Sequence, residues 1–411
     1  MIKHYNRFQN LIFKPKKRNI KKFIIYVCVF ALLVIICFLQ DIVFAENSQE
    51  IIDKLNFNVF EQLNNINLVD VEIALKDMID EFNFLQGRSF KESVEGIING
   101  NYFTDFNNIF SAIFSLVFGD VSKYLPLMFT IIAVSLLGQF VASLKSKTDD
   151  NVSDLIHFVT YSVIVILIVV VFKNIISVTS STINSIKSLT DAIFPVMLTL
   201  MTAVGGVVSV GIYRPTLAIL SGGVITLFNG FVQPLFIFSF VIVVVGNLTE
   251  SVKLKKLNEC IFSMFKWTMG FIFTLFGAIL TFQGISAGRH DGVSVSATRF
   301  AIKTYVPIIG GYLSEGLDFI LLSSVLIKNA VGLAGLILIF ITILSPIIQL
   351  IVFKLILQIP AAILETVGSS QTSNFLQQCS KVMLIPIIMV LGVAFMCILT
   401  LSLLMCTANI I

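Results

Sequence analysis

His4, His157 and His290 are all the imidazoles this chain has, and they are too scattered to supply the three or four converging ligands a metal ion demands. Beside the last of them, Gly292-Val293-Ser294-Val295 has the outline of an intramembrane protease's serine loop. The nearby histidine precedes that loop and no polar partner stands in a later apolar run, so the serine has no base to activate it. The sequence contains no HExxH, no GxxxxGK[ST] and no pair of carboxylates spaced for acid-base work. What the residues do support is close packing in lipid. Gly205-Gly206, Gly222-Gly223, Gly310-Gly311 and the series Ala330, Gly332, Ala334, Gly335 let helix backbones approach one another, as small residues do in membrane bundles. They predict tight packing around a flexible or pore-lining region, with no catalytic residue, cofactor or metal ion.

The elements that must position these residues are membrane helices. Apolar residues make up 56% of the chain and charged residues only 13%, far below the roughly 25% of soluble proteins. The net charge of +4 conceals an asymmetry, because Glu46 to Gly119 holds twelve of the 24 acidic residues against four Lys or Arg. An acidic segment crosses a membrane readily, whereas basic loops stay in the cytoplasm. The positive balance is thus accounted for by loop charge and does not point to nucleic acid. The six cysteines fall in apolar runs or in segments assigned to the cytoplasm, where thiols stay reduced, so no disulfide framework is expected.

The N-terminus reads as an export signal. Six Lys or Arg residues between Lys14 and Lys22 precede the uncharged run Phe23 to Leu39, and Val43-Phe44-Ala45 follows a polar break. That order of basic, apolar and small residues predicts cleavage between Ala45 and Glu46. The chain accordingly divides into a signal peptide at 1–45, an external acidic helical segment at 46–123 and a polytopic membrane domain at 124–411. In the external segment Val71, Leu75, Met78, Phe82 and Leu85 recur at helical spacing, and Gly87 ends the stripe.

Seven long apolar runs follow: Leu125 to Leu144, Leu155 to Phe172, Ile193 to Val210, Thr216 to Leu248, Trp267 to Gly284, Ala330 to Phe353 and Val382 to Cys406. None contains Asp, Glu, Lys or Arg. Thr216 to Leu248 is longer than the roughly 20 residues of one crossing, and Gly222-Gly223 with Gln233-Pro234 predicts that it breaks into two helices, Asn229 and Gln233 serving the freed backbone. The expected fold class is therefore all-α: a polytopic helical membrane protein of about eight transmembrane helices after the signal peptide, with an N-terminal external amphipathic helical segment. Basic loops at Lys145 to Asp150 and Glu250 to Glu259 fall inside on this count, as does Arg214, while Lys173 to Ala192 and Ile285 to Asn329 fall outside. Pro307 with Gly310 and Gly311 predicts a tight bend ahead of an amphipathic segment carrying Leu313, Leu317, Ile320 and Ser324 on one face.

Two blocks resemble the stage III sporulation protein AE family. One is "FPVMLTLMTAVGGVVSVGIYRP", which holds Pro195, Gly205, Gly206 and Pro215. The other is "KTYVPIIGGYLSEGLDFILLSSVLIKNAVGLAGL", which holds Pro307, Gly310, Gly311, Lys328, Gly332 and Gly335. The resemblance implies a membrane subunit of the mother cell to forespore channel, a secretion-like complex needed for late forespore gene expression and spore formation. It implies the other stage III A sporulation proteins as partners, together with membrane lipid and a homo-oligomer, and places the protein in the multi-pass mother-cell membrane around the forespore. It brings no catalytic motif and no nucleic acid. The competing reading is a secondary transporter or permease of a small solute. Such proteins place charged residues inside their spans and repeat broken helices in two halves; the uncharged runs weigh against it.

Overall fold

A computed structural model of the chain describes residues 59, 61–63, 66, 68–79, 89–99, 106–143, 150–248, 254–305, 310–367 and 370–407. Segment 1–45 with its cleavage pair Ala45 and Glu46, and Pro307, lie outside the described residues. Regular structure among the described residues is entirely helical. Two short helices, α1 (Val69–Ile79) and α2 (Phe90–Ile98), precede the long ones. Those are α3 (Phe106–Ser143), α4 (Asp150–Ala203), α5 (Val207–Gly246), α6 (Lys255–Tyr305) and α7 (Gly310–Val367). The chain finishes with α8 (Ser370–Val382) and α9 (Leu384–Cys406), which together make one apolar run from Ser370 to Cys406.

Local chemistry sets several boundaries. Ser89 caps α2 through a reciprocal pair, its Oγ accepting from Glu92 N at 3.1 Å and its own N–H donating to Glu92 Oε2 at 3.0 Å. At the end of α4, Gly205 takes φ 94°. Its N–H reaches Thr202 O at 3.0 Å, and Gly206 N–H reaches Met201 O at 2.8 Å. This is the Schellman arrangement, in which a glycine without a Cβ occupies the left-handed position and the last carbonyls of the helix find donors. Gly206 then opens α5 by accepting from Val210 N–H at 3.0 Å.

Side-chain bonds give the direction of each helix. Asn174 of α4 donates to the Tyr124 hydroxyl of α3 at 3.1 Å, while Gly138 lies against Thr160, so α3 and α4 are antiparallel. Tyr161 donates to Val244 O at 2.6 Å and Asn229 to Asn184 Oδ1 at 3.3 Å, which sets α5 antiparallel to α4. Ser239 with Asn258, and Gln283 with Ile212 O, do the same for α5 and α6. Along α7, Gly335 faces Leu401 and Lys328 bonds to Thr407, so α9 runs back against it. The result is an up-and-down bundle with, among the described residues, six runs long and apolar enough to cross a membrane, α7 packing against α2, α3, α4, α6, α8 and α9 as its central post. The protein is a multi-pass helical membrane protein.

This segmentation corrects the eight short crossings. Lys173 to Ala192 does not connect two helices but forms the middle of α4, 54 residues long and thus about 80 Å from end to end, against a hydrocarbon layer of about 30 Å. Polar residues there stay helical because Thr179, Thr182 and Thr190 bond back to the carbonyls of Ile175, Val178 and Ile186 at 2.7, 2.7 and 2.9 Å. The stretch Thr216 to Leu248 likewise does not divide. Two π-helical turns, Ile219–Val224 and Phe228–Val232, absorb its glycines, and the flanking residues keep right-handed helical dihedrals. Pro234 sits in the first turn of the α-helical stretch that follows, where a missing N–H costs least. Arg214 consequently lies at the end of the bundle opposite Lys256, where both had been assigned to one side. The span Ile285 to Asn329 is divided between the end of α6 and the start of α7, leaving Lys328 inside the apolar run Gly316–Val367.

Candidate functional site

The two sequence blocks meet. Met197 of α4, Gly332 of α7 and Met405 of α9 share one contact: a Cβ placed on Gly332 would lie 2.7 Å from Met405 Sδ and 3.1 Å from Met197 Cε. One turn along, Gly335 faces both methyl carbons of Ile193 at 3.2 Å and Leu401 Cδ1 at 3.5 Å. One turn the other way, Lys328 is fully buried and its Nζ donates to the carbonyl of Thr407. A buried ammonium is costly in an apolar bundle unless its protons find acceptors, and this carbonyl is one the end of α9 leaves open. Thr407 Oγ1 donates to Leu403 O at 2.7 Å. Its single proton is thereby used, so the Tyr213 hydroxyl is the donor in the 3.0 Å bond between them. Tyr213 belongs to α5, and thus α5, α7 and the end of α9 are tied in one knot beside the Gly205 turn.

Other sequence-selected positions stand around this knot without entering it. Pro195 is exposed within α4, its carbonyl accepting from Thr199 Oγ1 at 2.9 Å, and Pro215 is exposed on α5. Gly310 and Gly311 are the first two residues of α7. Leu317, Ile320 and Ser324 lie within the helix α7, where Ile320 is exposed and Ser323, Ser324, Ile327 and Lys328 are buried. Ser324 meets Gln62 at 3.1 Å. Asn229 does not serve its own backbone but bonds across to Asn184.

A second locus lies halfway along α4. Ser177, Ser181, Asn184 and Ser188, spaced four, three and four apart, share a helix face with Ser180 and Ser185 beside them, and together they line a cavity of about 610 Å³. Ala74 of α1 and Gln233 of α5 contribute its other walls. No charged side chain is among the described lining residues. Val71 and Leu75, one face of α1, are buried against the bundle and hold this helix in place. Below the cavity Tyr124 OH also accepts from Gln349 Nε2 at 2.8 Å, joining α3, α4 and α7, and Phe172 stacks on Phe236 and Phe240 at centroid distances of 4.5 and 3.7 Å. Hydropathy missed this locus because it reads Lys173 to Asp191 as a loop, although the serine spacing carries a helical period.

Groups that could hold a metal ion do not cluster anywhere among the described residues. The Stage III sporulation protein AE family model matches residues 88–408, which include the Gly205 turn, the serine face and the Lys328 knot. Stage III sporulation protein AE of Bacillus subtilis (strain 168) is 26% identical over 306 residues, covering 74% of this chain and 77% of that protein. No solved structure matches the chain. With the family model spanning all six apolar runs and both blocks, the chain belongs to the stage III sporulation protein AE family.

Proposed function

We propose that this protein is a membrane subunit of the complex through which the mother cell sustains the forespore, seated in the mother-cell membrane around the forespore and required for late forespore gene expression. Family membership supports its place in sporulation. The observation that carries the channel reading is the hydroxyl-lined groove on α4, with no charged side chain among its described lining residues, inside the apolar run Phe158–Ala203, since a polar face within a membrane-crossing run has use only where water or solute reaches it. The other stage III A sporulation proteins and further copies of this chain are the partners this reading requires. Removal of segment 1–45 after Ala45 would leave the acidic N-terminal segment outside, available to them.

Purification from sporulating cells in mild detergent tests the reading. The other stage III A proteins should come with the protein, and a deletion strain should lose late forespore reporter expression until the gene is restored. Recovery of the chain alone, with reporter expression intact in the deletion strain, would refute it. Lys328 buried in a span and the π turns of α5 favour a second reading, a permease of a small solute. Solute uptake by liposomes holding this chain by itself would establish that reading in place of the first.

A further inference from the structure

We infer that the cavity on α4 is a hydrated binding cleft for a small uncharged solute bearing hydroxyl or amide groups, and that α1 is its cover. Many hydroxyls elsewhere in the bundle bond to their own helix, although Ser135, Ser314 and Ser402 do not. Ser162, Thr274, Thr281, Ser323, Thr342 and Thr400 each donate to the carbonyl four residues back, at 2.7 to 2.9 Å, the usual resort of a hydroxyl on a helix that lacks water. Ser177, Ser180, Ser181, Ser185 and Ser188 line the cavity. Their hydroxyls make no such bond, nor any other to a described protein group, and Ser177, Ser181 and Ser188 are exposed, which leaves five donors and ten lone pairs open along one groove. Asn229 adds a separate sign. Its Nδ2 reaches Asn184, a wall residue, while its Oδ1 is buried with no hydrogen-bond partner among the described groups. Asn229 is not itself among the described lining residues, and its open oxygen is one of seven such buried atoms among the described residues, so it supports the site only through its bond to Asn184.

The lining selects the class of solute. Hydroxyl and amide groups can both donate and accept, and with no charged side chain among the described lining residues they give no preference to an anion or a cation. The volume lies in the range of small-molecule sites. Two features make the cleft capable of opening. Its cover, α1, is one short helix held by Val71 and Leu75. The wall contributed by α5 adjoins the π turn Phe228–Val232, where a Cβ added at Gly230 would meet open space, and π turns mark places where a helix gives way at functional sites. This inference needs no partner protein, so it stands or falls separately from the channel reading.

Thiol labelling of the full chain in membrane vesicles tests it. Cys260 and Cys406 are exposed and, together with Cys28 and Cys37 of segment 1–45, are replaced by Ser, while Cys379 and Cys397 are buried and stay. In this background Ser181→Cys and Ser185→Cys should react with a charged methanethiosulfonate an order of magnitude faster than Ile166→Cys on the apolar face. Glucose, glycerol or glutamine should slow that reaction, citrate should not, and Ala74→Trp should slow it without any solute. Labelling no faster than at Ile166→Cys would remove the hydrated cleft. Fast labelling that none of the three neutral solutes slows, or that citrate slows equally, would overturn the solute class. Unchanged labelling in Ala74→Trp would remove α1 as the cover.

Discussion

Gly332→Ala adds one methyl group where α4, α7 and α9 converge. Alanine in place of glycine inside a helix favours the fold by about 1 kcal/mol through propensity. Against that, the new Cβ would lie 2.7 Å from Met405 Sδ and closer still to Met405 Cγ. Cγ is the second atom of its side chain and retreats only if Met405 leaves its χ1 rotamer or α9 moves, whereas Met197 Cε, at 3.1 Å, is a free end that swings away. Forcing a methyl into such a core costs about 1 to 3 kcal/mol, so after the propensity gain the net expectation is a loss of about 0 to 2 kcal/mol. Gly335→Ala meets only side-chain carbons of Ile193 and Leu401 at 3.2 to 3.5 Å, and its cost and gain should nearly cancel. Gly270→Ala has nothing within 4 Å and should be neutral or slightly stabilising. Thermal melts in detergent should therefore rank Gly332→Ala below Gly335→Ala, and Gly335→Ala at or below Gly270→Ala. Met405→Ala combined with Gly332→Ala should lose less stability than the two single changes summed, because the second removes the atoms the first collides with. A Gly332→Ala protein that melts with Gly270→Ala would refute the three-helix contact.

Gly138→Ala should also destabilise, by about 1 to 3 kcal/mol, because its Cβ would meet the branched Thr160 side chain, with Cγ2 at 2.7 Å, and a β-branched residue has little rotamer freedom in a helix; a melt equal to wild type would contradict the packing of α3 on α4. Lys328→Met keeps the shape but leaves the Thr407 carbonyl without its ammonium donor, a loss of about 1 to 3 kcal/mol, whereas Lys328→Glu sets a carboxylate against that carbonyl and should prevent accumulation in the membrane. Normal levels and melting of Lys328→Glu would dissolve the knot. In the background lacking Cys28, Cys37, Cys260 and Cys406, Arg214→Cys should react with an impermeant thiol reagent outside intact cells and Lys256→Cys only after permeabilisation, since the two lie at opposite ends of the bundle and basic ends stay inside. Equal labelling from outside would mean that α5 turns back on itself.

How much of this was legible in the sequence depends on which residues carried the signal. The all-α membrane class followed from apolar run lengths alone, and Gly332 and Gly335 stood out as small residues in an apolar run, whereas Lys328 was marked only by the family resemblance and was assigned to an external segment. Helix lengths were not legible by the same means. Hydropathy asks whether a residue prefers lipid, while helix continuity depends on whether backbone bonds close. Along Lys173 to Asp191 they do close, with threonines bonding back to their own helix and Asn174 and Asn184 bonding sideways to Tyr124 and Asn229. The Gly222-Gly223 and Gln233-Pro234 pairs likewise read as breaks, yet the chain admitted π turns there and kept its direction. The partners of Lys328 could not be read at all, since Thr407 stands 79 residues away and only the antiparallel return of α9 brings its carbonyl to the ammonium. The serine face could have been found by counting spacing in place of polarity. Ser177, Ser181, Asn184 and Ser188 keep a helical period through a segment whose composition suggests a loop. A polar stretch that holds this period between two apolar halves of one helix is better read as the wall of a wet cleft than as a connection.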